Sequence, residues 1–249
     1  MCSQSPNFSQ CKLPGKSSFF IDKKGLEDAY RLCLKKKAST VNAVVFRIDE
    51  LQNFDRLYTE ISSGTYYPST SIAFITENRE VFAAAFRDRA VHTWIAIRLI
   101  PLLEEQFVPT TWNCRKGKGT LRAVQSLREQ IRIASEDYTR DAWIFTYDLS
   151  GFFMGIDREK AADRLCHFVD DKYEGPDKAT LLWLLRMVIT HAPEEDCIRY
   201  GKESDWDTLP HRKSLFYNHG LPIGDLPLTA GRKLRAGYCR PFPCAPLCS

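Results

Sequence analysis

Trp143-Ile-Phe-Thr-Tyr-Asp148-Leu-Ser-Gly-Phe-Phe153 is an apolar run that reads as a strand, ends on one carboxylate and passes through a small turn into two aromatics. An acid at the end of a buried strand loses its hydration unless something neutralises it, and a divalent cation is the usual partner. Taken alone, an aspartate in that place is more often a cap or turn residue, because its side chain bonds nearby backbone amides. The segments on either side decide which reading of Asp148 to carry forward.

Upstream stands Cys114-Arg-Lys-Gly-Lys-Gly-Thr120, in which Arg115, Lys116 and Lys118 alternate with glycines. Such a loop lets the backbone come close to a nucleic-acid strand while cations meet its phosphates. Further upstream, Arg79-Glu-Val-Phe-Ala-Ala-Ala-Phe-Arg87-Asp-Arg89-Ala-Val-His92 carries three arginines. The guanidinium fork binds phosphate bidentately and its face stacks on a base, although one of the three could simply pair with Asp88. His92 reads as a packed helix residue. Downstream, Gly220-Leu-Pro-Ile-Gly224-Asp225 forms a glycine-bracketed turn.

The order of a basic glycine loop, a strand-end aspartate and a Gly-Leu-Pro-Ile-Gly turn resembles the reverse transcriptases of bacterial retroelements, of the group II intron and diversity-generating kinds. The resemblance covers about residues 40 to 226 and is most specific at Gly220–Gly224, where five residues in a row match and Asp225 replaces the usual asparagine. It implies a mixed α/β (α+β) fold: the fingers and partial palm of a right-hand polymerase, with the thumb absent. The implied activity is RNA-directed DNA polymerase, a metal-assisted attack of a primer 3′-hydroxyl on a deoxynucleoside triphosphate opposite an RNA template. Magnesium is the implied cofactor, bound by Asp148 and the Leu149 carbonyl. Arg79, Arg87, Arg89, Phe153, Gly220, Pro222 and Gly224 are the implied nucleotide-binding set, and Arg115, Lys116 and Lys118 the template contacts. Phe153 matches the family's sugar gate, whose ring excludes a 2′-hydroxyl by steric conflict, while Phe152 reads as a core aromatic.

The family pattern also requires a Tyr/Phe-x-Asp-Asp hairpin after the glycine-bracketed turn. Phe168-Val-Asp170-Asp171 has the letters but precedes the turn and continues the helical spacing of Ala161, Leu165 and Phe168, so solvated helix-end acids are expected there. After Leu226 the chain departs from the pattern into a basic tail rich in cysteine and proline. A reading-frame shift near codon 227 would explain this, since one codon choice for Leu228–Lys233, read one base on, gives Ser-Gln-Leu-Ala-Gly-Asn. On that expectation the chain stops short of the second acidic element and is inactive alone. Two alternatives stay open: a non-catalytic RNA-binding remnant, and one half of a split polymerase completed by a downstream-encoded palm and thumb chain.

Composition agrees with a globular chain that meets phosphates. Of 249 residues 44% are hydrophobic, enough for a core, and net charge is +4. Residues 79 to 122 hold eight Lys/Arg against four Asp/Glu, so the positive excess is local. Nine cysteines would suggest disulfides in a small secreted chain, but no signal-like or membrane-spanning run is evident, and the expectation is a cytoplasmic protein with reduced thiols and no membrane partner. Cys239, Cys244 and Cys248 have neither a CxxC pair nor a nearby histidine to support zinc.

Residues 1–24 lack periodicity and read as a loose arm; the resemblance implies a fingers-like region over 25–135, a partial palm over 136–226 and an aberrant tail over 227–249. Helices are expected from Gly25 to Lys37 and from Val41 to Gly64, the second with Val41, Val44, Val45, Ile48, Leu51 and Ile61 as its apolar positions. Strands at 71–76 and 80–86 form a hairpin. Asp88 caps a helix running toward Gln106, which Pro101 could kink. Further helices are expected around Leu121–Ile131, 157–172 and 177–191, followed by irregular chain to Gly220.

Overall fold

The computed structural model describes residues 19–38, 40–76, 79–112, 115 and 117–222. The chain forms two compact units, one of residues 1–102 with 151–227 and the other of 103–150 with 228–249. The first unit takes chain from both sides of the segment 103–150.

In the first unit, α1 (Lys23–Lys37) starts at Asp22, whose carboxylate accepts from the backbone amides of Lys24 and Gly25. The expected second helix is two, α2 (Val41–Ile48) and α3 (Glu50–Ser62), broken at Asp49. Their buried residues are Ala43, Phe46, Phe54, Leu57 and Ile61. Of the expected apolar face only Ile61 is buried, while Val41, Val44, Val45, Ile48 and Leu51 stand exposed. The aromatic positions win the inner face because Tyr30 gathers Phe46, Phe54 and Phe86 around one ring, with centroids 5.6, 6.0 and 5.7 Å away.

The expected hairpin forms from β1 (Ser71–Thr76) and β2 (Arg79–Ala83), antiparallel with Ile72 opposite Ala83 and Thr76 opposite Arg79. Then comes α4 (Phe86–Glu104), which continues through Pro101. Asp88 lies inside its first turn rather than capping it: the carboxylate accepts from the Tyr66 hydroxyl at 2.8 Å and the Ser69 amide at 2.9 Å. Both α6 (Arg158–Lys172) and α7 (Lys178–Thr190) follow the predicted spacing and pack on each other. Helix α7 buries Leu181, Trp183, Leu184, Leu185, Val188 and Ile189, each worth about 1.5–3 kcal/mol relative to exposure. Trp183 stacks on Phe19 at 4.4 Å. Arg98 lies 3.7 Å over the Trp94 ring and pairs with buried Asp177 at 2.6 Å.

The stretch before Gly220, expected to be irregular, holds a third strand, two short α-helices and a 3-10 turn at His211–Lys213. Strand β3 (Cys197–Tyr200) adds to β1 in parallel, Ser71 beside Cys197, giving the order β2-β1-β3. Helices α8 (Glu203–Asp207) and α9 (Leu215–Asn218) follow. Four residues are too few for the alternation that announces a strand, which is why β3 is silent in the sequence.

In the second unit, α5 (Thr120–Ala134) forms where predicted but buries none of its residues. It ends in three successive left-handed residues, Glu136, Asp137 and Tyr138, with φ of 49°, 56° and 65°. Residues 141–149 are irregular, so the strand expected at Trp143–Tyr147 is absent. Trp143, Phe145 and Tyr147 are 84, 77 and 89% exposed. A strand exists only by pairing its backbone, and no described segment pairs with this one.

Candidate functional site

The first unit joins two motifs that are far apart in the chain. The backbone amide of Leu221 donates to the carbonyl of Phe153 at 2.8 Å. A β-carbon added to Gly220 would lie 2.3 Å from that carbonyl oxygen and 2.5 Å from the α-carbon of Met154. Only glycine permits this approach, which explains the first letter of the turn by space rather than by backbone angle. Gly220, Leu221 and Pro222 are buried. Phe153 is half-buried and meets Phe152 edge-on at 5.7 Å.

Arg158 fixes the turn from the other side. Its Nε donates to the Gly220 carbonyl at 2.6 Å while its terminal nitrogen reaches both oxygens of Glu194 at 2.8 Å. This pair is nearly enclosed, with side chains 9 and 3% exposed, so each charge depends on the other for neutralisation. Neither residue stands out in the sequence, since a pair between the start of α6 and the turn after α7 leaves no spacing signal.

Pro222 also lines a cavity of about 10 Å³, room for one water, with Asp88, His92 and His191. Burial pushes the Asp88 carboxyl up, against the pull of the Ser69 amide and the Tyr66 hydroxyl. Burial holds the His191 imidazole below its ordinary value, and the Arg158 charge adds to this. Both ring nitrogens of His191 are buried without a hydrogen-bond partner.

The three arginines singled out between residues 79 and 92 differ in their engagement. Arg79 opens β2 and is exposed. Arg87 pairs with Glu60, approaches Asp88 at 3.5 Å and lies 5.3 Å over the Tyr66 ring, so its charge is largely met within the fold. Arg89 is half-buried in the first turn of α4, its carbonyl accepting from the Thr93 hydroxyl at 2.7 Å.

In the second unit, the Arg115 guanidinium bonds Glu104 at 2.7 Å and the carbonyls of Val108 and Thr111. Lys118 donates to the Pro109 carbonyl and sits 4.2 Å from the Trp112 ring centre. These contacts fold the basic loop onto its own neighbours. Asp148 and Leu149 lie exposed on the irregular segment. Lys116 and Gly224 lie outside the described residues, as do Ile223, Asp225 and the cysteine-rich tail.

Asp170 and Asp171 are on α6 as expected and pair with Lys178 and Lys172 at 2.9 and 3.0 Å. Among the described residues no three His, Cys, Asp or Glu side chains are grouped to hold a metal ion. A two-metal centre needs several carboxylates brought together, and Asp148 belongs to no such group, so no step of nucleotidyl transfer follows from the described residues. No helix among the described residues is long and apolar enough to cross a membrane. Comparison with models of known protein families finds no match, and comparison with curated proteins finds none either.

Proposed function

We propose that this chain descends from RNA-directed DNA polymerases and binds a DNA primer on an RNA template, without itself supplying the acids for a complete magnesium centre. The observation that carries the reading is the direct backbone contact between Phe153 and Gly220–Leu221, which in the resembled family would be the sugar gate and the turn that supports the nucleotide. On this reading the Phe153 ring lies under a deoxyribose and conflicts with a 2′-hydroxyl, while Arg79 and Arg89 face the triphosphate. Arg87, already paired with Glu60, serves mainly to hold the finger helix. Arg115, Lys116 and Lys118 meet template phosphates.

Primer extension on poly(rA)/oligo(dT) with magnesium tests this. The expected result is a retained primer–template and no incorporation by the chain alone. Incorporation would show that the acid set is sufficient after all, and failure to retain the primer–template would reject the polymerase descent.

The exposed apolar residues Trp143, Phe145, Tyr147 and Leu149 favour a second reading, one half of a split polymerase whose other chain covers them. Incorporation that requires the downstream-encoded product would select it.

A further inference from the structure

Beyond the polymerase motifs, the segment between α7 and Gly220 builds a cavity of about 210 Å³ whose walls include Arg199, Trp206, Asp207, His211, Phe216 and Tyr217. Trp206 and Phe216 meet edge-on at 6.0 Å, and the Arg199 guanidinium lies 4.0 Å from the Phe216 ring centre and 5.3 Å from that of Trp206. His211 and Tyr217 stack at 3.9 Å with their planes 20° apart. The cavity thus presents flat π faces, one planar cation and one carboxylate acceptor in a small space.

Its floor is held rigidly. Phe216 and Trp206 pack against the buried cluster of Ala73, Phe82, Met154 and Leu215. Buried Glu80 accepts from the Ser214 hydroxyl at 3.1 Å and the Leu215 amide at 2.5 Å, which fixes the start of α9. Asn218 closes the segment by donating to the carbonyls of His211 and Ser214 at 2.6 and 2.7 Å. Arg199 is set by the pairing of β3 with β1, where it lies beside Ala73. Tyr217 is nevertheless 60% exposed, so a face remains open to a ligand.

We infer that this cavity binds an unstacked nucleobase of a single-stranded nucleic acid. Stacking between aromatic rings and a guanidinium suits any base, because every base has a π face. Asp207 offers an acceptor to a base amino group, and exposed Arg212 and Lys213, next along the chain from His211, suit the flanking phosphates. A duplex keeps its bases stacked and paired and does not fit such a site. The inference stands on the chemistry of this cavity and does not require the polymerase reading.

The test is fluorescence-anisotropy binding of labelled single-stranded RNA and DNA of about eight nucleotides, with the matching duplex as control, followed by ultraviolet cross-linking and peptide mapping. Tyr217→Ala removes an exposed stacking face, and Arg199→Lys keeps the charge but loses the plane. Each is expected to weaken single-strand binding about tenfold with an unchanged circular dichroism spectrum, and the duplex to bind at least about tenfold more weakly. Cross-links should fall within residues 199–217. The RNA and DNA arms identify which strand is taken. Wild-type affinity in both variants, or cross-links only elsewhere, overturns the site. A loss of primer–template binding in Arg115→Ala without any effect of Tyr217→Ala also overturns it, and leaves the polymerase reading standing.

Discussion

Gly220 and His191 make different demands on the same corner of the first unit. At Gly220 the demand is space: a methyl group would meet the Phe153 carbonyl and the Met154 backbone well inside contact distance. Gly220→Ala is therefore expected to lower stability by about 1–3 kcal/mol, measured by urea denaturation, because backbone rather than a flexible side chain must move. An unchanged midpoint would mean that the turn does not press on Phe153. At His191 the demand is desolvation. Its folded imidazole resists protonation, so as pH falls below the ordinary 6.5 the unfolded chain takes up the proton first. Stability contributed by the neutral ring is then present above that value and is lost as pH falls toward the depressed one. Burial shifts Glu80 and Asp88 upward, which works in the opposite direction, so the informative quantity is a difference between proteins. Between about pH 7 and pH 5.5 the urea midpoint of His191→Gln should decline less than that of the parent; equal slopes would contradict the burial argument. The glycine was legible in the sequence as part of a motif, whereas the histidine, like Arg158 and Glu194, became visible only through its surroundings.

Elements with a dense apolar face were readable, and those that depend on partners were not. Helix α7 announces itself by its apolar run and buries it. Helix α5 has equally good spacing, yet Leu121, Val124 and Leu127 are exposed, so periodicity located the helix without saying what it packs on. A 15-residue helix with no buried residue is marginal in water. Its left-handed exit at 136–138 adds strain of roughly 1–2 kcal/mol per residue. Hydrogen exchange should accordingly replace the amides of α5 at least about 100-fold faster than those of α7. Comparable protection in the two helices would show that α5 is covered in solution. The strand expected at Trp143–Tyr147 failed for the reason β3 went unseen: strand identity rests on a neighbour's backbone, and the sequence of one segment does not contain its neighbour.

Across the whole chain, the helices and short strands that local pattern located add up to a mixed α and β architecture, while local pattern carries no sign of the division into two units. The first unit closes on itself through pairs such as Ser71 with Cys197, contacts between segments too distant for local pattern to foretell. Charge is the property that the sequence and the proposed function share most directly, with the Lys/Arg excess over 79–122 carried by residues on both units. If about four phosphates are neutralised, affinity for a DNA primer on an RNA template should fall about 100-fold between about 50 and 200 mM salt. That titration is the most direct test of the chain as a primer–template binder. The account predicts saturable binding at low salt with this steep decline; no binding at low salt, or an affinity indifferent to salt, would contradict it.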